Sequence, residues 1–266
     1  IILLLFFCFP EVIISSSTSY YFRTLGINDG LSQSTVNAIL QDQKGFMWIG
    51  TKDGLNQYDG QECRVFQKEN SSLGNNFITA LYEDCEGYIW VGTDAGVYIY
   101  NPVQEAFQFL DTEIASSGEK ITRAVTWITS DSQNNIWISV DNQGLFCYNR
   151  GKKNLTKVVS CGKSGIANVT HFWFYAGQLW IARYEDNLYV SKDNSSFNAF
   201  NDVDGEDIFK GLVINSYVEG LHNCLYVGTS KGLMEINLTS RKVRKLLDEY
   251  VRDICFRSDT DLWIGT

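Results

Sequence analysis

Residues 36–59 read VNAILQDQKGFMWIGTKDGLNQYD, and this stretch decides the fold. Short runs rich in Ile, Val, Trp and Tyr alternate with Asp, Gly and Asn, which is typical of β-strands joined by tight turns. The residues at 42–45 and 52–54 suit tight turns, because Gly accepts a positive φ and Asp bonds backbone N–H groups. The pattern therefore predicts four strands, over residues 36–40, 46–51, 55–58 and 63–67.

The same pattern recurs along the chain. Residues 78–101 read ITALYEDCEGYIWVGTDAGVYIYN, and two further copies occupy 125–149 and 169–191. More degenerate copies lie within 221–237 and 251–266. Each copy has one aromatic residue at the aligned position, and the spacing between these residues is 37–47. We call them the blade anchors: Trp48, Trp90, Trp137, Trp180, Tyr226 and Trp263.

A period near 40–45 residues, with four short strands in each copy, is that of a β-propeller blade. The sequence therefore predicts an all-β propeller of four-stranded antiparallel blades, at approximately 36–67, 78–110, 124–159, 169–200, 214–247 and, in part, 251–266. The blade anchors should fill the wedges between blades, and Gly50 should leave room for close packing. The recurring carboxylates Asp42, Asp84 and Asp131 are expected to build turns.

The N-terminal residues have a different character. Residues 1–14 read IILLLFFCFPEVII and precede three serines, as in a signal peptide that lacks its basic start. We expect a truncated signal peptide over 1–17 and the propeller over 18–266; the alternative is a buried strand. Of the cysteines outside this leader, Cys147 and Cys161 are the pair to test first for a disulfide.

The pattern D-x-x-G-x-x-W-[IV]-G-T-x-x-G-[LV] resembles the two-component regulator propeller repeat. Residues 42–59 match nearly every position and 84–100 almost as well, whereas the third copy has Ser139-Val140 and the fourth Ala182-Arg183 in place of Gly-Thr. The resemblance implies the N-terminal periplasmic sensor region of a Bacteroidetes-type hybrid two-component histidine kinase, present here as a fragment.

The same resemblance implies further features of the whole protein. Such propellers have seven blades, so about five and a half would be present, and a strand over 20–25 would close the ring. A membrane segment and a kinase would follow downstream, with the full receptor a homodimer anchored in the inner membrane. Many relatives sense oligosaccharides released from glycans.

Other chemistry leaves little trace in the sequence. The net charge of −9 makes direct nucleic-acid contact unfavourable. The two histidines, His171 and His222, lack a phospho-acceptor context, and there is no recognised catalytic, phosphate-binding or metal-binding motif. The acidic stretch 202–207 does not match an EF-hand and is expected to be a solvated loop. We expect no cofactor, no metal and no enzymatic activity in this region.

Four residues are candidates for ligand binding. His171, Trp173 and Tyr175 alternate along a predicted inner strand and should share one face, and Trp127 occupies the corresponding part of the preceding blade. An aromatic patch with a polar tip suits sugar stacking, but packing between blades explains it as well. The leading hypothesis is a ligand-sensing module for an oligosaccharide. The alternatives are a propeller glycosidase or polysaccharide lyase, and a non-catalytic protein-interaction scaffold.

Overall fold

The computed structural model describes residues 24–158, 169–175, 177–194, 196–256 and 261–266. The predicted signal peptide and Cys161 lie outside these residues, and so do residues 20–23 of the predicted closing strand. Thr24 and Leu25, the rest of that strand, belong to no strand. The thiol of Cys147 is free.

Within the described residues, the chain forms five four-stranded sheets followed by one two-stranded sheet, and every strand pairs antiparallel with its neighbour in sequence. A 3-10 helix, Ile27–Asp29, precedes them. The prediction of an all-β propeller of four-stranded blades is confirmed. The described residues contain no helix long and apolar enough to cross a bilayer.

The strands of the first three blades are β1 Val36–Gln41, β2 Met47–Thr51, β3 Gly54–Tyr58, β4 Cys63–Phe66, β5 Ile78–Glu83, β6 Ile89–Thr93, β7 Gly96–Asn101, β8 Ala106–Phe109, β9 Val125–Ser130, β10 Ile136–Val140, β11 Gly144–Asn149 and β12 Asn154–Val158. The later blades contain β13 Val169–Tyr175, β14 Gln178–Arg183, β15 Leu188–Ser191, β16 Asn198–Ala199, β17 Ile214–Glu219, β18 Cys224–Thr229, β19 Gly232–Asn237, β20 Lys242–Leu247, β21 Asp253–Phe256 and β22 Leu262–Gly265. In the first blade, every strand end falls within one residue of its prediction.

The blades pack through their anchors and through close backbone contacts. Four anchors, Trp48, Trp90, Trp137 and Trp180, are at most 3% exposed, and each of the first three packs its ring against an aromatic ring of the next blade. A Cβ on Gly50 would lie 2.5 Å from Ile78 Cγ2, so this glycine permits the close packing that the sequence predicts.

The last two anchors are less buried. Tyr226 is half-buried against Phe256 of the sixth blade, with ring centroids 5.6 Å apart. Trp263 is 38% exposed, because no described blade follows to cover the outer side of the two-stranded sheet. Anchor burial therefore depends on the presence of a following blade.

The inner strand of each four-stranded blade begins with a register irregularity. In the pairing of β1 with β2, Val36 lies opposite Thr51 and Ala38 opposite Gly50, which leaves Asn37 without a partner residue. In each of the other four blades, the same irregularity leaves one polar residue without a partner residue on the neighbouring strand: Thr79, Thr126, Thr170 and Asn215. Such bulges redirect a side chain, and here the bulge residues lie at the centre of the molecule.

Candidate ligand-binding site

The inner strands β1, β5, β9, β13, β17 and β21 surround a central cavity of about 870 Å³. All five bulge residues line it, together with Arg252 at the equivalent position of the sixth blade. Within the described residues, all six blades contribute side chains to this common space. We call it the central cavity.

Some of the polar lining residues hold the blades together. Asn37 Nδ2 donates to the carbonyl of Ile78 at 2.9 Å, and Asn215 Nδ2 donates to the carbonyl of Val251 at 2.7 Å. Thr126 Oγ1 makes the same kind of bond, to the carbonyl of Val169, at 3.2 Å. Each bond joins a bulge residue to the residue of the next blade that is equivalent to Val36, so these groups are already satisfied.

Trp127 and His171 both line the central cavity. They occupy equivalent positions in the inner strands of neighbouring blades. Their ring centroids are 4.9 Å apart and their planes are tilted by 57°. Burial lowers the pKa of His171 to about 4, although a backbone hydrogen bond with Ile214 acts in the opposite direction. The imidazole is therefore neutral around pH 7.

The other two candidates lie elsewhere. Trp173 is 2% exposed and stacks on Tyr217 of the next blade at 4.1 Å, while Tyr175 donates its hydroxyl hydrogen to Asn223 Oδ1 at 2.7 Å. Neither lines the central cavity. Because side chains alternate along β13, Trp173, Tyr175 and His171 all face the fifth blade. Of the three, only His171 lies close enough to the centre to line the cavity.

Several residues that line the central cavity carry a buried polar atom without a hydrogen-bond partner. Among the described residues, eight buried side-chain atoms have neither a hydrogen bond nor an ion pair, and four of these belong to residues that line the cavity: Thr79 Oγ1, Trp127 Nε1, His171 Nδ1 and Ser216 Oγ. A buried polar atom without a partner costs about 1–3 kcal/mol. Their concentration in one cavity calls for an explanation.

The cavity also contains charged residues, on the side formed by the fifth and sixth blades. Glu219, Arg252 and Asp253 line it there. Desolvation raises the pKa of Glu219. Sequence reasoning did not identify these residues, nor Thr79 and Ser216. Comparing the start of each inner strand across the repeats would have found all of them except Glu219, which is the last residue of β17, because the others fall at or next to the positions of Trp127 and His171.

The turn carboxylates bond the backbone of their turns, as predicted, and in addition bond the blade anchors. Asp42 Oδ1 accepts hydrogen bonds from the backbone N–H groups of Lys44 and Phe46, and Asp42 Oδ2 accepts one from Trp48 Nε1 at 2.8 Å. The pairs Asp84–Trp90 and Asp131–Trp137 repeat the indole bond at 2.7 and 2.9 Å. Each aspartate thus builds its turn and fixes the anchor of its own blade.

The remaining polar clusters do not form a second candidate site. A cavity of about 880 Å³ between the first two blades is lined by Asp42, Trp48 and several carboxylates, and none of its residues has an unpartnered buried atom. Asp202 accepts backbone bonds from Asp204 and Glu206 and so closes an acidic turn. Across the described part of the chain, no group of three or more His, Cys, Asp or Glu side chains is placed to hold a metal ion.

Comparison with known proteins identifies the repeats. A family model described as "Two component regulator propeller" matches residues 30–53 and 72–95, which cover the core of the first two blades. A curated protein named histidine kinase P4, from Formosa agariphila, is 40% identical over 53 residues, which are 20% of this chain and 4% of that protein.

Two solved structures extend the likeness over most of the chain. The extracellular domain of a putative hybrid two component system from B. thetaiotaomicron is 27% identical with a TM-score of 0.75, over 92% of this chain and 34% of that one. A virginiamycin B lyase from Staphylococcus aureus has a TM-score of 0.65 at 11% identity, over 86% of this chain and 77% of the lyase, and it shows the fold alone. The chain spans about a third of that extracellular domain.

Proposed function

Because the chain carries two component regulator propeller repeats, we propose that it is the extracytoplasmic ligand-sensing propeller of a hybrid two-component sensor kinase. In this proposal the propeller lies in the periplasm, binds an oligosaccharide derived from a glycan, and signals to a kinase and regulator elsewhere in a homodimeric, membrane-anchored protein. The observation that carries the proposal is the likeness of almost the whole chain to the extracellular domain of a putative hybrid two component system.

The structure of the chain fits recognition without catalysis. The blades form a scaffold in which three anchors, Trp48, Trp90 and Trp137, donate hydrogen bonds to the turn aspartates of their own blades. Among the residues that line the central cavity, the buried polar groups without partners are a neutral imidazole, an indole N–H and two hydroxyls, which are group types that hydrogen-bond ligands. To signal, the ligand must also bind two states of the receptor with different affinities.

Calorimetry of the complete natural protein against a panel of neutral, uronate-containing and sulfated oligosaccharides tests the proposal. We expect saturable binding of at least one sugar, which is recovered intact after prolonged incubation with the protein. A folded protein that binds none of the panel would overturn the sensor proposal. Cleavage of the bound sugar would favour the glycosidase or lyase alternative.

A further inference from the structure

The fourth blade lacks a hydrogen bond that holds the anchor in the other four-stranded blades. In each of those, the anchor donates to a carboxylate of its own blade, and the pairs are Trp48–Asp42, Trp90–Asp84, Trp137–Asp131 and Tyr226–Glu235. Trp180 Nε1 has no hydrogen-bond acceptor among the described residues. The fourth anchor is therefore positioned by apolar contacts, which are non-directional.

Two further repeated bonds are missing from the fourth blade. In the first, second and fifth blades, a threonine that ends the second strand donates to the carbonyl of the glycine three residues on, whereas the fourth blade has Arg183 there. In the first, third and fifth blades, the bulge residue donates to the next blade, whereas Thr170 donates to Ala182 of its own blade, at 3.3 Å. Each of the other four-stranded blades lacks at most one of the three bonds, and the fourth lacks all three.

The outer strand of the fourth blade is also the shortest of the five. Strand β16 has two residues, whereas β4, β8, β12 and β20 have four to six. Only two residue pairs, Tyr189 with Ala199 and Val190 with Asn198, join β15 to β16. The outer edge of this blade is therefore fixed by fewer backbone hydrogen bonds than that of its neighbours.

Three ring-bearing side chains of β13 tie the fourth blade to the fifth. His171 makes a hydrogen bond with a backbone group of the fifth blade, and Trp173 stacks on Tyr217 with ring centroids 4.1 Å apart. Tyr175 donates its hydroxyl hydrogen to Asn223 Oδ1 at 2.7 Å. Contacts with the next blade thus compensate for bonds that the other blades make at their anchors, turns and bulges.

We propose that the fourth blade is the labile unit of the propeller, which opens locally at a lower free energy than the other four-stranded blades, and that His171, Trp173 and Tyr175 hold it closed. The free energy of local opening depends on how many buried contacts and hydrogen bonds a unit makes. A unit that opens locally gives the molecule a second state, of the kind that a sensor needs. The inference involves no ligand, so its test is independent of the test of the sensing function.

Native-state hydrogen exchange of the complete natural protein, followed by mass spectrometry of its peptides, measures the opening of each blade. The middle strands β14 and β15 should exchange at least about tenfold faster than the equivalent strands β6 and β7 of the second blade, a ratio that corresponds to about 1.4 kcal/mol. Exchange that is equal in the two blades, or slower in the fourth, would overturn the inference.

A tyrosine substitution tests the ties to the fifth blade. Tyr175→Phe keeps the ring and removes the hydroxyl that bonds Asn223. It should speed the exchange of β14 and β15 by about two- to tenfold, the effect of one hydrogen bond, and leave β6 and β7 unchanged.

Tyr82→Phe is the matched control, because the Tyr82 hydroxyl bonds Ser130 Oγ of the third blade at 2.6 Å and so also joins two blades. This substitution should leave the exchange of β14 and β15 unchanged. If Tyr175→Phe accelerated no exchange, or accelerated it equally in all blades, the fourth blade would not be a separate unit held closed by these ties, and the inference would be wrong.

Discussion

At the scale of single residues, the bond between a turn aspartate and the tryptophan six residues later links local and long-range structure. Asp42→Ala removes the acceptor of Trp48 Nε1 and of two turn N–H groups. We expect it to lower the free energy of unfolding by about 2–4 kcal/mol, because a buried indole N–H loses a charged partner. Chemical denaturation of the complete protein measures the change.

The control for that substitution is Asp202→Ala. Asp202 also accepts two backbone N–H groups in its turn, those of Asp204 and Glu206, but no indole is bonded to it in the described structure. Its replacement should cost markedly less than that of Asp42. Equal losses would show that the turn bonds alone matter and that the indole bond contributes nothing to stability.

The sequence could predict that Asp42 bonds the backbone of its turn, because an aspartate two to four residues ahead of a glycine turn does so locally. It could not predict the indole bond, which depends on how the hairpin brings Asp42 and Trp48 together. In the fourth blade the equivalent position holds Phe174, and Trp180 Nε1 is unpartnered. The environment of His171 was equally hidden, since Trp127 and Ile214 come from neighbouring blades.

His171 gives a prediction about pH. Its pKa falls from an ordinary value of 6.5 to about 4 in the folded protein, because burial disfavours the charged ring. Above pH 6.5 the residue is neutral in both states and has no effect. As the pH falls from 6.5 to 4, the unfolded chain binds a proton that the folded protein does not, so stability decreases, by up to about 3 kcal/mol.

Denaturant unfolding of wild type and His171→Asn at pH 7, 5.5 and 4.5 measures this contribution. We expect the substitution to flatten the loss of stability between pH 6.5 and 4. The control is His222→Asn, at an exposed turn position with φ 58°, which asparagine tolerates. A pH dependence that is identical in wild type and His171→Asn would contradict the burial of a neutral imidazole.

At the scale of the strands, a glycine governs how closely consecutive blades approach. A Cβ at position 50 would lie 2.5 Å from Cγ2 of Ile78, the first residue of the next inner strand. Gly50→Ala should therefore force the two sheets apart and lower the free energy of unfolding by about 1–3 kcal/mol. Thermal melting of the complete protein measures the effect.

Gly151→Ala is the matched control, because a Cβ there meets only Asn149 Oδ1, at 3.6 Å. This substitution should leave the melting temperature close to that of wild type. If Gly50→Ala were equally harmless, the close approach of β2 to β5 would not be needed for blade packing.

The bounds of the strands could be predicted from the sequence, but their bulges could not. The bounds of β1 to β4 follow from apolar runs and turn residues, so they were predictable within one residue. The bulge at Asn37 was not, because a two-residue period carries no sign of one unpaired residue. Since the bulges supply the lining of the central cavity, the sequence identified Trp127 and His171 as candidates but not the site they share with Thr79 and Ser216.

At the scale of the whole molecule, the described blades form a series with two uncovered sides. On the first blade Val36 and Ile39 are 37% and 62% exposed, and on the last Trp263 and Ile264 are 38% and 40% exposed. Residues 18–266 expressed alone should therefore self-associate, because apolar side chains and unpaired strand edges favour contacts between chains. Size-exclusion chromatography with light scattering measures the mass of the species formed.

Substituting lysine at both sides separates this cause from general misfolding. The double variant Ile39→Lys, Ile264→Lys keeps the buried anchors and adds charge where apolar side chains are exposed. It should shift the protein toward the monomer, since charged residues on sheet edges oppose pairing. A parent fragment that elutes as a monomer and melts cooperatively would contradict the prediction, because its two uncovered sides would then be tolerated by an isolated chain.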